Sequence, residues 1–287
     1  MLRIAVPNKG RLADQTLTLF EKAGLKAEAR VERALVANLG SEFRAIFVRA
    51  QDIPEFVGDG AAELGVTGAD LVAESSQTVQ DLLDLEYGRC RLVVAVREES
   101  EVEDVRELDA GVRIATSFPR ITQRFFQNLG NPVQVAPVTG AAEIAPHLGV
   151  ADVIVDLVST GSTLKVNGLR EIGTILHSTA RLIANRDAVM TPDKGGRIVE
   201  LVTALESVIR AKSKRYLMAN VPRDRLPEVK RIIPGLSGPT IVEIQNGHEW
   251  VAAHAVVDAD KIYQCILELK ALGAEGILVT PIERLMP

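Results

Sequence analysis

The chain reads as an α/β protein of two related lobes around a cleft, followed by a smaller C-terminal βαββαβ domain. Three observations predict this. An opening strand pattern returns a second time, buried strands run into small polar loops, and the alternation of elements changes after residue 213. Leu2 to Val6 (LRIAV) and Val112 to Thr116 (VRIAT) are the two openings, and each leads into a Pro-containing loop and a helical segment. The echo continues where Gly60-Ala61-Ala62-Glu63 before LGVTG parallels Gly149-Val150-Ala151-Asp152 before VIVDL. Asp52 to Asp59 and Ala141 to Leu148 read as the helices before those strands, with Pro54 tolerated in a first turn. Paired lobes of this kind place a ligand between them, at the carboxyl ends of the strands.

Val93 to Val96 and Leu182 to Asn185 are the expected crossings between lobes. Pro192 to Arg197 (PDKGGR) reads as a polar, Gly-rich break, and Ile198 to Lys212 repeats apolar residues at helical spacing, as a linker helix does. The expected domains are therefore 1–93 with 183–212 (first lobe and linker helix), 94–182 (second lobe) and 213–287. The last of these shows a strand (YLMANV), a helix over Arg225 to Ile233, strands over Thr240 to Ile244 and Trp250 to Val257, a helix over Asp260 to Leu272 and a strand over Ile277 to Thr280. That order is the ferredoxin-like plan. Ile262, Ile266, Leu269 and Leu272 keep one apolar stripe, and Gly273 stands where a left-handed C-cap residue belongs. Such a domain serves either to bind a regulatory amino acid or to pack and oligomerise.

Composition narrows the function classes. A chain of 287 residues supports more than one domain, and 47% hydrophobic against 25% charged residues describes a globular protein. A net charge of −5 offers no broad basic surface, so nucleic acid is not the expected partner and an anionic ligand must be held by local Lys, Arg and backbone amides. No basic leader precedes LRIAV and no apolar run reaches membrane-spanning length, so a cytoplasmic protein without a membrane partner is expected. Cys90 and Cys265 form no Cys-x-x-Cys pair, and His147, His177, His248 and His254 lack metal-binding spacing.

The richest stretch is Val153 to Leu164, VIVDLVSTGSTL. Val153, Ile154, Val155, Leu157 and Val158 are strand formers apolar on both faces, as a strand between two layers must be. Asp156 interrupts them, and the cost of desolvating an acid places it near an accessible strand end. Ser159, Thr160, Gly161, Ser162 and Thr163 then supply four hydroxyls and a position without Cβ, so that amides and hydroxyls can converge on a small anion. The alternative is an ordinary Ser/Thr-Gly loop after an ordinary strand. Lys9 and Arg11 follow the first strand and Arg49 follows the Ala45 to Val48 strand, where cleft residues belong. Gly68 and Asp70 in VTGAD form the matching loop of the first lobe; Asp70 either accepts from a nucleotide or caps the helix LVAES.

With PNKGRL (Pro7 to Leu12) and SGPT (Ser237 to Thr240), the stretch from Glu143 resembles the long form of ATP phosphoribosyltransferase. Glu143, Gly149, Asp156, Thr160, Gly161, Thr163 and Leu164 stand at the family's spacing, and the resemblance runs from Leu2 to Glu283. It implies two periplasmic-binding-protein-like lobes with a C-terminal regulatory domain. The implied reaction transfers the ribosyl group of 5-phosphoribosyl pyrophosphate to N1 of ATP, releasing pyrophosphate, with magnesium (Mg2+) held mainly by substrate phosphates and L-histidine as inhibitor. A homo-oligomer, dimer to hexamer, belongs to the same expectation. Two departures stand out: Val155 occupies the place of the first of two adjacent acids in the common phosphoribosyltransferase motif, and Asn220 is a neutral amide at the histidine site.

The resulting assignment gives Ser159 to Thr163 the 5′-phosphate, Asp156 the ribose, and Lys9, Arg11 and Arg49 the pyrophosphate and triphosphate. Glu143 acts through the cleft wall or a magnesium-bound water, or is a solvated helix acid. Asp152, four residues before Asp156 and about 13 Å away on a strand, is structural. Gly68 and Asp70 face the nucleotide, and Asn220, Leu236, Ser237, Gly238 and Thr240 hold histidine. The competing readings are a two-lobed anion-binding protein without catalysis and a different phosphoribosyltransferase with an amino-acid-sensing tail.

Overall fold

The computed structural model describes residues 1–27, 34–245 and 249–286; His248 lies outside them. The chain forms two compact units, one of Met1–Glu21 with Leu25–Val199, the other of Lys22–Gly24 with Glu200–Pro287.

In the first unit the chain builds β1 (Leu2–Pro7), β2 (Val36–Leu39), β3 (Phe43–Val48), β4 (Leu64–Gly68) and β5 (Gln80–Asp84), then β6 (Cys90–Arg97), β7 (Arg113–Thr116), β8 (Gln134–Pro137), β9 (Val153–Val158) and β10 (Leu169–Ser178), and returns with β11 (Ala180–Ala184). Helices α1 (Arg11–Lys22), α2 (Ile53–Gly58), α3 (Ala69–Glu74), α4 (Pro119–Asn128), α5 (Ser162–Val166) and α6 (Arg186–Met190) connect them, and α7 (Pro192–Lys212) follows. Two sheets result, ordered β2-β3-β1-β4-β11-β5 and β10-β6-β9-β7-β8. Each is the core of one lobe, lobe I and lobe II.

The repeated plan seen in the sequence is repeated pairing. In lobe I, β1 lies parallel to β3 and β4, with β11 antiparallel beside β4. In lobe II, β7 lies parallel to β8 and β9, with β6 antiparallel beside β9. Even the acids before the third strands correspond, because Glu63 N donates to Arg3 O at 3.1 Å and Asp152 N to Arg113 O at 3.0 Å. The central strands β4 and β9 are apolar on both faces because helices cover both sides of such sheets.

Three expectations are corrected. The crossings do not lie at Val93–Val96 or Leu182–Asn185: Val93–Val96 and Leu182–Ala184 belong to strands buried inside their sheets, and Asn185 caps α6. The chain crosses at the segment 85–89, where Glu86 and Gly88 have positive φ, and at Thr179. A strand packed on both faces cannot also bridge a gap. Ala141–Leu148 is not a helix but a single 3-10 turn over Ala142–Ile144, since Ala141 enters in the left-handed region and Pro146 has no N–H to continue. Pro192–Arg197 is not a break but the start of α7, with proline in the first turn where its missing N–H is harmless.

The glycines of that start differ in kind. A Cβ at Gly195 would stand 2.5 Å from the Val189 carbonyl oxygen, whereas one at Gly196 would meet nothing within 4 Å. Gly195→Ala is expected to destabilise by about 1–3 kcal/mol through overpacking. Gly196→Ala is expected to stabilise by about 0.5–1 kcal/mol through helix propensity. Melting temperatures moving in opposite directions check the pair.

The second unit carries β12 (Lys214–Pro222), α8 (Leu226–Ile232), β13 (Thr240–Glu243), β14 (Trp250–Asp258), α9 (Ile262–Ala271) and β15 (Glu275–Pro281), in an antiparallel sheet ordered β13-β14-β12-β15. Leu217, Ala219 and Val221 alternate inward with Val251, Ala253, Ala255 and Val257, and pack on Val229, Cys265 and Leu269 of the helices. The strand period of two and the helix stripe meet in one core. Gly273 has φ +85° and its N–H reaches Lys270 O at 3.0 Å, closing α9 as the sequence predicts. Cys90 and Cys265 are free thiols.

Candidate active site

Residues Asp156 to Leu164, together with Glu143 and Arg11, line one cavity of about 220 Å³. Arg11 is the first residue of α1 in lobe I, so both lobes contribute. Asp156 is half-buried near the end of β9, and its Oδ1 accepts the Leu157 N–H at 2.8 Å. Burial pushes its carboxyl above the ordinary range; the Leu157 amide pulls it back, and the Glu143 carboxylate adds to the rise.

The loop after Asp156 is held by its two ends. Val158 and Leu164 are both 5% exposed and rooted in the lobe II core. Asn167 closes α5 by donating its N–H and Nδ2–H to Thr163 O, at 3.2 and 2.9 Å. Between these anchors Gly161 takes φ +79°, a conformation that a Cβ disfavours, and turns the chain so that Thr160 Oγ1 and Ser162 Oγ come within 3.0 Å. Ser159, Thr160, Ser162 and Thr163 are exposed in the cavity lining. This loop is a set of pre-positioned donors above a carboxylate.

Glu143 reaches the cavity from the 3-10 turn that follows Ala141, whose φ of +51° is uncommon for a residue with a Cβ. No local sequence signal announces that turn. Lys9 and Arg49 are exposed at the ends of β1 and β3, adjacent parallel strands joined by the Asn8 N–H donating to Val48 O at 2.8 Å. They are not among the cavity's described lining residues. Lys9, Arg11 and Arg49 make no ion pair with the other described residues.

Gly68 and Asp70 stand apart from the cavity lining. Gly68 is the N-cap of α3 and Asp70 is the second residue of the helix, so Asp70 is not the cap. It is 4% exposed, its N–H donates to Ser178 Oγ at 3.1 Å, and its carboxylate accepts from that hydroxyl at 2.5 Å. Burial pushes its carboxyl up and the Ser178 bond opposes that. Sequence reading missed Ser178, whose partner lies 108 residues away.

In the second unit Leu236 lines a smaller cavity of about 90 Å³ with Lys214, Asp258 and Lys261. Gly238 (φ +123°) and Gly235 (φ +65°) shape the turn that carries Leu236 and Ser237 toward Thr240 at the start of β13. Asn220 is exposed on β12 and is separated from β13 by β14. The structure thus groups Leu236, Gly238 and Thr240 and sets Asn220 two strands away.

Two matched α/β lobes sharing one polar cavity, lined by a donor-rich loop beyond an acid-bearing strand in one and by an arginine in the other, define a two-lobed α/β protein of the cleft-forming class. The family model described as ATP phosphoribosyltransferase matches residues 49–207, and that described as HisG, C-terminal domain, matches residues 211–284. An ATP phosphoribosyltransferase of Gemmatimonas aurantiaca is 60% identical, and one of Methanosarcina acetivorans 48%, each over the whole of both chains. Among solved structures, the ATP phosphoribosyl transferase (HisG:HisZ) complex from Thermotoga maritima aligns with a TM-score of 0.65 and 29% identity, over 73% of this chain and 99% of that one. The chain belongs to the ATP phosphoribosyltransferase family, in the long form that carries its own C-terminal domain, and is a pentosyltransferase of histidine biosynthesis.

Proposed function

We propose that the cavity takes 5-phosphoribosyl pyrophosphate, with the 5′-phosphate in the Ser159–Thr163 loop and the ribose beside Asp156. The observation that carries this is the shared lining of one cavity by Asp156, the hydroxyl loop and Arg11 of the opposite lobe. N1 of adenine has a free lone pair, so the reaction needs neither a protein nucleophile nor an obligatory base. The N1–C1′ bond forms as the C1′–O bond breaks, and the bonding pair leaves with pyrophosphate. Asp156 and Glu143 then favour the cationic ribosyl centre, while Arg11, with Lys9 and Arg49 at the neighbouring strand ends, favours the departing anion. The nucleotide lies toward Gly68, and the buried Asp70 supports that loop.

Among the described residues no cluster of three or more His, Cys, Asp or Glu side chains is built to cage a metal. Two carboxylates that repel across the cavity fit a magnesium ion arriving on phosphates, which needs only one or two protein oxygens. Glu143 would hold it, directly or through a bound water, and when bound it would supply charge neutralisation at the leaving pyrophosphate. We further place L-histidine as inhibitor at Asn220, Leu236, Gly238 and Thr240, in a cytoplasmic homo-oligomer, dimer to hexamer, without nucleic acid or membrane partners. No helix among the described residues is long and apolar enough to cross a membrane.

Incubation with ribosyl-labelled 5-phosphoribosyl pyrophosphate and a panel of bases and nucleotides tests the substrate, and label is expected on ATP alone. Transfer to another base instead would favour a different phosphoribosyltransferase. Calorimetric titration with L-histidine, paired with turnover, tests the regulator. Asn220→Asp is expected to tighten histidine roughly tenfold, since a carboxylate binds a cation better than an amide does. Neither heat nor inhibition would make the C-terminal domain structural.

A further inference from the structure

Helix α3 is shared between the lobes. Val72 packs on the lobe I core around Ile53 and Val57, whereas Leu71 and Ala73 pack on the lobe II core. Its first amide, Ala69 N, donates to the carbonyl of Thr179 at 2.9 Å, at the point where the chain crosses between sheets. Its last residue, Glu74, reaches into lobe II, where its carboxylate accepts from Arg120 N at 2.9 Å and Ile121 N at 3.0 Å.

Those two amides belong to the first turn of α4 and have no carbonyl partner within their own helix. An ionised acceptor gives them charge-assisted bonds, strengthened by the positive end of the helix. Glu74 is not among the described residues lining the cavity, so the transfer chemistry does not account for it. Each lobe has a close-packed core of its own, so that any change in the angle between them is a rigid-body one. The angle between the lobes is therefore set by the crossing segments and by whatever bridges them, and α3 with Glu74 is such a bridge.

We propose that Glu74 is a positioning residue for phosphoribosyl transfer: by capping α4 it fixes the lobe angle, and with it the separation of Arg11 from the Ser159–Thr163 loop. This rests on the reading of the cavity given above.

Steady-state kinetics of the full chain with Glu74→Gln and Glu74→Ala, beside Asp156→Asn, decide the matter. In both Glu74 variants KM for 5-phosphoribosyl pyrophosphate is expected to rise roughly fivefold, with kcat within about twofold of wild type, because binding must first restore the lobe angle that Glu74 holds. Amide exchange over residues 118–122 is expected to accelerate in the same variants. Faster exchange with an unchanged KM would reduce Glu74 to a helix cap and overturn the proposal. So would a fall in kcat at constant KM, or unchanged exchange with unchanged kinetics. If Glu74→Ala fails to fold, Glu74→Gln decides alone, since it keeps one acceptor oxygen. A wild-type rate in Asp156→Asn would instead place the failure in the cavity reading.

Discussion

Asp156→Asn is expected to lower kcat by roughly 10²- to 10³-fold while leaving the melting temperature within a few degrees of wild type. The substitution keeps size and shape, and the amide oxygen can still accept the Leu157 N–H that the carboxylate takes at 2.8 Å. On the proposed reading, what disappears is the negative charge beside the cationic ribosyl centre, in a place where burial weakens the screening that water would provide. Since that interaction is strongest at the transition state, the loss falls on kcat more than on KM. Thr163→Ala removes a loop hydroxyl and is expected to raise KM for 5-phosphoribosyl pyrophosphate as well as lower kcat, because the proposed phosphate contact would be made in the bound substrate already. Wild-type turnover in both variants would take the loop out of the mechanism.

The parts of this molecule that were legible in sequence are those written locally. Branched apolar runs marked β1, β4, β7 and β9, and the βαββαβ order of elements from YLMANV onward marked the ferredoxin-like domain. The loop from Ser159 to Thr163 carried its own punctuation in Gly161. Less legible were features made by residues far apart in the chain. The crossings at 85–89 and Thr179 depend on which strands end up buried in the middle of a sheet. Glu143 depends on a left-handed alanine that nothing nearby requires. The close approach of Val189 to Gly195 made a helix start resemble a loop, because two glycines in a row ordinarily signal a turn. Asp70, readable as a nucleotide acceptor or a helix cap, bonds instead to Ser178, 108 residues further along the chain.

Glu63 shows how the repeated plan can carry different side-chain loads at equivalent positions. Glu63 and Asp152 use the same backbone bond, but the Glu63 side chain is 8% exposed and pairs with Arg3 at 3.1 Å and Lys194 at 2.9 Å. Asp152 is exposed and makes no ion pair with the other described residues. Burial pushes the Glu63 carboxyl up, but the bonds from Arg3 and Lys194 outweigh it and hold the group at about 2, against an ordinary 4.5. A folded-state value below the unfolded one means stability that is fully present above about pH 4.5 and is lost as pH falls toward 2. At 1.36 kcal/mol per unit the linkage is on the order of 3 kcal/mol. Glu63→Gln is therefore expected to destabilise the protein by about 2–3 kcal/mol at neutral pH, since Arg3 and Lys194 are partly exposed and recover some hydration. The variant should also lose this share of the wild-type decline between pH 4.5 and 2. Asp152→Asn is expected to change stability by less than about 0.5 kcal/mol at any pH. Denaturant unfolding across that pH range measures all three proteins. Parallel acid profiles for wild type and Glu63→Gln would show that the pair with Arg3 and Lys194 does not anchor the start of β4.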